Sequence, residues 1–180
     1  MSKRVIITGA ASGIGEATAA SLRSRGCTVV GLDLTAIGDD VIACDVRDQG
    51  SVDTAVAAAI ERLGGLDVLI NSAGIGDPQS AAERPAEDAL RVIDVNLLGT
   101  WRVTAAAIPA LRESHGRVIN IASGLAHLTI PLATAYTISK RGVVAYSDSL
   151  RLEMAGEVDV TTVYPGYIRT PIHNASAEKG

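Results

Sequence analysis

Aromatic side chains are almost missing from this sequence of 180 residues, which contains no phenylalanine and only 3% aromatic residues in total. Stacking platforms for single-stranded nucleic acid are therefore not expected. The hydrophobic core must instead be built from valine, isoleucine, leucine and alanine, a mixture that suits parallel strands buried beneath helices. Because hydrophobic residues make up 47% and charged residues 20% of the chain, we expect one folded domain over residues 1–180 rather than disorder.

An excess of basic residues is missing as well. The formal net charge is −4 and the isoelectric point is near 5.3, so neither nucleic acid nor an anionic membrane surface is expected as a partner. No apolar run is long enough to cross a bilayer. The charged start of the chain is followed by three apolar residues, Val5 to Ile7, whereas a signal peptide needs about 7–15. These features favour a cytoplasmic protein.

Redox-active and metal-binding side chains are scarce. Cys27 and Cys44 are 17 positions apart, a spacing that fits neither a C-x-x-C redox pair nor a disulfide framework, so two reduced thiols are predicted. The three histidines are His115, His127 and His173. Because their spacing does not suggest a cluster of ligands, we predict no metal site.

Short apolar runs alternate along the chain with longer segments of helical period. The predicted strands cover Arg4–Thr8, Thr28–Asp33, Val41–Cys44, Val68–Asn71, Arg117–Ala122 and Val158–Tyr164. The predicted helices cover Ile14–Ser24, Ser51–Leu63, Ala86–Leu111 and Thr134–Gly156, with Ser51 as the cap of the second. Right-handed β-α-β crossovers place helices on both faces of one sheet. The sequence therefore predicts the α/β fold class, with a doubly wound, Rossmann-like parallel sheet in three α/β/α layers.

The first predicted strand ends in a glycine-rich turn, Thr8-Gly9-Ala10-Ala11-Ser12-Gly13-Ile14-Gly15, which leads into a helix. Glycine is needed where the backbone turns sharply, where it approaches a pyrophosphate and where the helix packs on the sheet. The helix N-terminus then offers N–H groups to phosphate. The spacing departs from G-x-G-x-x-G, and a strand-to-helix turn often uses glycine without any ligand, so the turn alone leaves both interpretations open.

Asp33 closes the second predicted strand, 18 residues after Gly15. A carboxylate in that register can bind both hydroxyls of an adenosine ribose, and it would repel a 2′-phosphate. No arginine or lysine occupies positions 34–36 or directly precedes Gly13 to receive such a phosphate. The alternative is an aspartate that simply ends a strand at the surface. Its register with the glycine turn favours the cofactor site, so we predict NAD in preference to NADP.

Ser123, Tyr136 and Lys140 are the second group of candidate functional residues. Tyr136 and Lys140 are four residues apart at the start of a predicted helix, so the phenol and the ammonium project from one face. A positive charge within about 4–6 Å favours the phenolate and is expected to lower the tyrosine pKa. The hydroxyl of Ser123 can hold a carbonyl oxygen, and His127 in the following loop is a weaker candidate for a substrate contact. Taken singly, each residue also has an ordinary structural explanation.

Taken together, the motifs resemble those of the short-chain dehydrogenase/reductase family. In chain order they are Thr8-Gly9-xxx-Gly13-x-Gly15, Asn71-Ser72-Ala73-Gly74, Asn96, Ser123, Tyr136-xxx-Lys140 and Pro165-Gly166-xxx-Thr170. The resemblance covers nearly the whole chain, and the Tyr-xxx-Lys motif with its upstream serine is the most specific part. The family more often has a second asparagine where Ser72 stands.

The resemblance implies an NAD-dependent oxidoreductase that moves a hydride between the nicotinamide and a secondary alcohol or ketone. Tyr136 would exchange the proton with the substrate oxygen, Lys140 would also hold the nicotinamide ribose, and Ser123 would orient the substrate. Asn96 would hold a water that links Lys140 to solvent. The other implied cofactor contacts are Thr8, Gly9, Ser12, Gly13, Ile14 and Gly15 at the pyrophosphate, Asp33 at the ribose, Asp45 and Val46 at the adenine, Asn71, Ala73 and Gly74 at the cleft, and Pro165, Gly166, Ile168 and Thr170 at the nicotinamide.

Two other functions stay open. Epimerases and dehydratases of the extended branch also use Tyr-xxx-Lys and NAD, but their glycine turn looks like TGxxGxxG, whereas this sequence has TGxxxGxG. The other is an NAD-binding protein with little turnover, because family members usually continue past Thr170 into a substrate lid, a further helix and a seventh strand. We therefore expect a sheet without that last strand and lid, and a homodimer or homotetramer if the full chain is longer.

Overall fold

Six parallel strands form one sheet in residues 2–170 and 172, the part of the chain that the computed structural model describes. The strands are β1 (Arg4–Thr8), β2 (Thr28–Asp33), β3 (Val41–Ala43), β4 (Val68–Asn71), β5 (Arg117–Ile121) and β6 (Asp159–Val163). Their order across the sheet is β3-β2-β1-β4-β5-β6. The first strand lies in the middle of the sheet, β2 and β3 follow on one side of it, and β4, β5 and β6 follow on the other. This is the doubly wound arrangement predicted from the sequence.

Five α-helices connect these strands within the described residues. They are α1 (Gly13–Ser24), α2 (Gln49–Leu63), α3 (Glu87–Ile93), α4 (Thr100–Glu113) and α5 (Thr134–Glu153). A π-helical turn, Asp94–Gly99, joins α3 to α4, and a 3₁₀ turn, Gly124–Ala126, follows β5. Across residues 2–170 and 172, no helix is both long and apolar enough to cross a membrane.

Two buried hydrophobic clusters cover the two faces of the sheet. In β1, Ile6 belongs to the larger cluster, which includes side chains of α2, α4 and α5. Val5 and Ile7 belong to the smaller cluster, together with Ala19 of α1. Successive side chains of a strand point to opposite faces, so a continuous apolar run such as β1 is buried on both sides. This explains why the strands read as short aliphatic runs rather than as alternating patterns.

A group of buried polar side chains ties the middle of the sheet to two helices. The Asn71 amide nitrogen donates to Thr104 Oγ1 and to Asn120 Oδ1, each at 2.8 Å. The Asn120 amide nitrogen donates in turn to Ser147 Oγ at 2.8 Å. Because a buried polar group is costly to leave unpaired, these bonds hold β4, β5, α4 and α5 in one register. They thereby set the positions of residues at the strand ends.

The predicted helix over 86–111 is in fact three segments, namely α3, the π-helical turn and α4. The apolar period continues through all of them, so the sequence does not reveal the change. In a π-helical turn the backbone hydrogen bonds span five residues instead of four. The turn contains Asn96, whose side chain is fully buried and bonds to the loop after β4.

Ser51 does not cap its helix, which begins two residues earlier than predicted, at Gln49. The cap is Asp48, whose carboxylate accepts a hydrogen bond from the Ser51 backbone N–H at 2.6 Å. The Ser51 hydroxyl instead accepts a hydrogen bond from the backbone N–H of Asp45 at 3.0 Å. An aspartate is as good a cap as a serine, and the sequence offers both within four positions. The remaining boundaries agree with the predictions to within three residues.

Candidate active site

The glycine-rich turn lies at the carboxyl end of β1, where the strand order reverses between β1 and β4. Gly9 and Gly13 have positive φ angles of 67° and 57°, which a residue with a side chain rarely adopts. A Cβ on Gly15 would overlap the Gly9 carbonyl oxygen and lie 2.7 Å from its carbon. The N-cap residue of α1, Ser12, makes no side-chain capping bond. The Ser12 side chain therefore leaves the N–H groups of the first helical turn free, and such groups can bind an anion.

Thr8 joins the end of β1 to the end of β4. Its hydroxyl oxygen accepts hydrogen bonds from the backbone N–H groups of Ser72 and Ala73, both at 3.0 Å. The backbones also come close together here, because a Cβ on Gly9 would lie 2.9 Å from the Ala73 Cα. The serine that replaces the family's second asparagine takes part in this contact through its backbone alone, so the substitution leaves the contact intact.

Asp33 places its carboxylate beside the glycine-rich turn. Oδ2 accepts a hydrogen bond from the backbone N–H of Ala11 at 2.9 Å, and Oδ1 accepts one from Thr35 at 3.2 Å. The two bonds hold the carboxylate at the carboxyl end of β2, next to the anion-binding turn. A negative charge therefore stands where the sequence predicts the ribose end of a cofactor.

Asp45 and Val46 follow β3 and lie against the π-helical turn. Arg47 lowers the pKa of the Asp45 carboxyl, chiefly through its side-chain hydrogen bonds, and the shortest ion-pair distance is 2.7 Å. The side chain of Val46 packs closely on Gly99, where an added Cβ would approach the valine Cγ2 to 2.8 Å. The Val46 carbonyl accepts a hydrogen bond from Arg102 at 3.3 Å. These contacts fix the segment after β3 against the π-helical turn and α4.

Asn96 holds the loop after β4 from both sides. Its Oδ1 accepts from the Ile75 N–H at 2.8 Å, and its Nδ2 donates to the Ile75 carbonyl at 3.0 Å and to Ser139 Oγ at 3.0 Å. A Cβ added to Gly74 would lie 3.3 Å from Asn96 Oδ1 and 3.5 Å from Lys140 Nζ. The missing side chain of Gly74 therefore lets the asparagine and the lysine approach the same point.

Ser123, Tyr136 and Lys140 meet at the carboxyl end of β5. Ser123 is the N-cap of the 3₁₀ turn and accepts a hydrogen bond from the Leu125 N–H at 3.1 Å. Lys140 is only 4% exposed and donates to the carbonyl of Ile121 at 2.9 Å. Its ammonium lies 5.7 Å from the centroid of the Tyr136 ring. The serine and the lysine, 17 positions apart in sequence, thus form one cluster with the tyrosine between them.

The pKa values in this cluster are set mainly by burial. Burial raises the pKa of the Tyr136 phenol above its ordinary value, and a hydrogen bond with Ser123 lowers it by less. The expectation of a lowered tyrosine pKa is therefore wrong in direction, because the loss of hydration outweighs the stabilisation of the phenolate. Burial also lowers the pKa of Lys140 to about 8. The amine can therefore exchange a proton close to neutral pH.

The segment after β6 lies beside the Ser123 turn. The Pro165 carbonyl accepts a hydrogen bond from the Gly124 N–H at 2.8 Å. The ring of His127 lies 4.7 Å from that of Tyr164, so this histidine packs against the segment. The other predicted nicotinamide contacts follow directly in the chain, at Gly166, Ile168 and Thr170. Within residues 2–170 and 172, no group of three or more His, Cys, Asp and Glu could hold a metal ion, and His173 lies outside this part.

The sequence interpretation missed the loop after β4 as a wall of the site. A Cβ on Gly76 would lie 3.8 Å from Tyr136 Cδ2, so the loop passes over the phenol. It is also joined to the residues before α5, through a hydrogen bond of 2.9 Å from the Gln79 N–H to the Leu132 carbonyl. The polar composition of residues 76–85 indicates a loop, but no signal in it indicates contact with Leu132 or Tyr136, which are 53 and 60 positions further on than Gln79 and Gly76.

Replacing Gly15 with alanine tests the glycine-rich turn. Since the new Cβ would collide with the Gly9 carbonyl, the turn must shift, and we expect the free energy of unfolding to fall by about 1–3 kcal/mol. Affinity for the cofactor that the sequence predicts, NAD, measured by calorimetry, should fall at least about tenfold, which corresponds to about 1.4 kcal/mol. Gly50→Ala is the matched control, because it lies in the first turn of α2 with its nearest outside atom at 3.4 Å. Equal NAD affinity in both variants would show that close packing at Gly15 does not shape the site.

The sheet order, the glycine-rich turn at the reversal point and the Ser-Tyr-Lys cluster place this protein in the class of Rossmann-like, dinucleotide-binding folds. The family model described as short chain dehydrogenase matches residues 3–180. The chain therefore belongs to the short-chain dehydrogenase family, as its motifs predict.

Relatives and solved structures agree with this membership. The oxidoreductase UcpA of Salmonella typhimurium is 33% identical over 193 residues, covering 98% of this chain and 73% of the relative. The ligand-free aldohexose dehydrogenase of Thermoplasma acidophilum has a TM-score of 0.92 and 31% identity, with 99% of this chain and 72% of that one covered. A 3-ketoacyl-(acyl-carrier-protein) reductase from Brucella melitensis, complexed with NADH, has a TM-score of 0.89 and 32% identity, with 98% and 80% covered. These results confirm the predicted fold, and the matched relatives are oxidoreductases.

Proposed function

We propose that the protein is an NAD-dependent oxidoreductase that transfers a hydride between the nicotinamide and the carbinol carbon of a secondary alcohol or its ketone. The observation that carries the proposal is the position of two groups of residues at the carboxyl ends of the strands. The anion-binding turn with Asp33 lies at the ends of β1 and β2, and the cluster of Ser123, Tyr136 and Lys140 lies at the end of β5. A dinucleotide laid across the reversal point of the sheet would reach from one group to the other.

The residues of the glycine-rich turn fit the pyrophosphate of such a cofactor. Gly9 and Gly13 give the backbone its positive φ angles, and Gly15 allows close packing, so N–H groups rather than side chains line the surface. We place Thr8, Ser12 and Ile14 in the same contact zone. The other proposed positions are Asp33 at the ribose, Asp45 and Val46 at the adenine, Asn71, Ala73 and Gly74 at the cleft, and Pro165, Gly166, Ile168 and Thr170 at the nicotinamide.

Tyr136 acts as the general acid and base. When bound, the nicotinamide supplies the hydride acceptor or donor. In the reducing direction the buried phenol, with its raised pKa, holds the proton that the developing alkoxide takes up. In the oxidising direction the phenolate receives the hydroxyl proton. Ser123, which is hydrogen-bonded to the phenol, orients the reacting oxygen without adding charge.

Lys140 returns the proton to solvent in the proposed reaction. Its pKa of about 8 suits proton exchange near neutral pH. Asn96 and Gly74 lie next to its ammonium, so a water between the asparagine and the lysine would lead from the phenol towards the surface. Lys140 would also hold the nicotinamide ribose.

We further propose that the cofactor is NAD rather than NADP, that the substrate is a small molecule and that the protein acts as a homo-oligomer in the cytoplasm. The Asp33 carboxylate supports the choice of NAD, because its charge would repel a 2′-phosphate. Leu34, Thr35 and Ala36 provide no positive charge to offset that repulsion.

Asp33→Asn tests the cofactor preference. The variant keeps an oxygen that can accept the Ala11 N–H, and it removes the charge, so we expect the preference for NAD over NADP to shrink by about tenfold or more. Asp33→Ala should shrink it as well and should also loosen the turn. Calorimetric titration with both cofactors measures the ratio, and Asp39→Ala, at an exposed position in the following loop, is the control. An unchanged ratio in both Asp33 variants would contradict the ribose site.

A further inference from the structure

Gln79 carries a buried carboxamide that the proposed mechanism does not use. Its Oε1 and Nε2 are both shielded from solvent, and neither has a hydrogen-bond partner within residues 2–170 and 172. The chain's other glutamine, Gln49, is bonded to Asp53 at 2.7 Å on an exposed helix surface. Burying an amide without partners is unfavourable, and proteins keep few such groups. A carboxamide in this state has unused capacity to recognise a ligand.

The backbone of Gln79 lies beside the start of α5. Its N–H donates to the Leu132 carbonyl at 2.9 Å, and Gln79 pairs with Ala133 in an isolated parallel bridge. Ala133 is the N-cap of α5, and Tyr136 comes three residues later. From the same loop, Gly76 faces the Tyr136 ring, with 3.8 Å between an added Cβ and Cδ2. Gln79 is thus held next to the element that carries the phenol.

The loop that presents Gln79 is anchored at two positions that precede the glutamine. Asn96 bonds the N–H and the carbonyl of Ile75 at 2.8 and 3.0 Å. Asp77 forms an ion pair of 2.8 Å with Arg91, and the aspartate side chain is only 5% exposed. The backbone that leads to Gln79 is therefore fixed by contacts two and four residues before it. Such preorganisation reduces the entropy lost when a ligand binds.

The contact between Gln79 and Leu132 is itself strained. Leu132 has a φ of +60°, which is unfavourable for a residue with a branched side chain. Its side chain is 59% exposed, so it can move aside without unpacking the core. An unpaired amide and a strained backbone therefore lie at neighbouring positions, close to the start of the helix that carries Tyr136. A molecule that hydrogen-bonds the amide offsets the first of these two penalties.

We propose that Gln79 is a specificity-determining residue, whose carboxamide hydrogen-bonds a second hydroxyl group of the substrate beside the carbinol that faces Tyr136. The amide offers an acceptor at Oε1 and donors at Nε2, and a hydroxyl is the smallest group that matches both. The substrate class is then a vicinal diol, or the hydroxyketone formed from it, rather than a simple alkanol. This inference rests on the proposed function for its account of the reacting carbinol.

Paired alcohols test the inference, with 2,3-butanediol and 2-butanol as probes that differ by one hydroxyl. We expect the wild-type protein with NAD to give a kcat/KM at least about tenfold higher for the diol. Gln79→Leu should lower the value for the diol by about 10–100-fold and leave the value for 2-butanol unchanged. Gln79→Met, which matches the length of glutamine, is the second variant. Gln49→Leu is the matched control and should keep the wild-type ratio.

Two further measurements separate the possible results. Thermal unfolding should show Tm unchanged or raised in Gln79→Leu, because an unpaired buried amide has been removed. A lowered Tm, together with an equal loss of kcat/KM for both alcohols, would mean that Gln79 has a structural role and would overturn the inference. Turnover without a diol preference in the wild type would also overturn it, while the proposed function would stand. If neither alcohol is oxidised, the proposed function fails for these probes. In that case, calorimetry measures how 2,3-butanediol binds to the NAD-loaded wild type and to Gln79→Leu. If only the wild type binds the diol, the inference is supported. If both proteins bind it equally well, the inference is rejected.

Discussion

Replacing Tyr136 with phenylalanine is expected to lower the turnover of secondary alcohols by about 10²–10⁴-fold, which is the usual contribution of a general acid or base. NAD affinity should be largely kept, because the glycine-rich turn and Asp33 lie at the ends of β1 and β2, whereas Tyr136 lies on α5. In the wild type, the rate of alcohol oxidation should rise with pH above neutrality. The phenol must lose its proton to act as a base, and burial raises its pKa. The residual activity of the variant should lack this pH dependence.

Tyr146→Phe is the control for this experiment. Tyr146 lies on the same helix, and burial raises the pKa of its phenol to about 12. It packs against Trp101, with 5.3 Å between the ring centroids, and lies six residues after Lys140 in α5. Its loss should leave turnover intact. If Tyr136→Phe oxidises alcohols at the wild-type rate, Tyr136 is not the proton acceptor and the proposed mechanism is wrong.

Lys140→Met is expected to abolish most of the activity and at the same time to stabilise the fold. Burial lowers the pKa of Lys140 from 10.5 to about 8, so the folded state pays a penalty for the charge. Each pKa unit corresponds to about 1.4 kcal/mol. The variant also loses the hydrogen bond from Lys140 to the Ile121 carbonyl, which offsets part of the gain. We therefore expect the free energy of unfolding of Lys140→Met to be about 2 kcal/mol higher than that of the wild type at pH 7.

The stability difference between Lys140→Met and the wild type should depend on pH. Between pH 8 and 10.5 the unfolded chain still holds the lysine proton and the folded chain releases it, so wild-type stability gains from rising pH in that window. Above pH 10.5 the lysine is neutral in both states, so the buried charge no longer destabilises the folded wild type. The difference in the free energy of unfolding between Lys140→Met and the wild type should therefore shrink. The Cys44 thiol, whose pKa burial raises to about 11, acts in the opposite direction but equally in both proteins. The difference between the two urea-unfolding curves therefore isolates Lys140.

Lys3→Met is the control for the removal of a lysine, because Lys3 is exposed and should change neither stability nor activity. A variant of Lys140 that is less stable than the wild type at pH 7 would contradict the burial penalty. Full activity in that variant would remove the lysine from the proton path.

Much of the fold could be predicted from local patterns. The aliphatic runs mark the strands because both sides of the sheet are covered, and the order of strands and helices then leaves few topologies. The glycine-rich turn was predictable because Gly9 and Gly13 have positive φ angles. Such angles are a local backbone property that favours glycine, and glycine is visible in the sequence. The family motifs supplied Ser123, Tyr136 and Lys140, which the fold brings together.

The misjudged features depend on hydrogen bonds and burial that the spacing of residue types does not reveal. Asp48 rather than Ser51 caps α2, because Ser51 is engaged by Asp45. The π-helical turn around Asn96 has the same apolar period as the helices beside it. The direction of the Tyr136 pKa shift depends on how deeply the ring is buried, which spacing along a helix does not reveal.

The sequence by itself determined the class of fold, the family and the identity of the candidate catalytic side chains, because these follow from periodicity and from residue types at fixed spacing. Only the tertiary structure decided the environment of those side chains. The buried bonds of Asn71 and Asn120, the pairing of Gln79 with Ala133 and the depth of Lys140 all involve residues separated by tens of positions. Burial and hydrogen bonding arise where distant parts of the chain come together in space, so they set pKa values that no local pattern encodes.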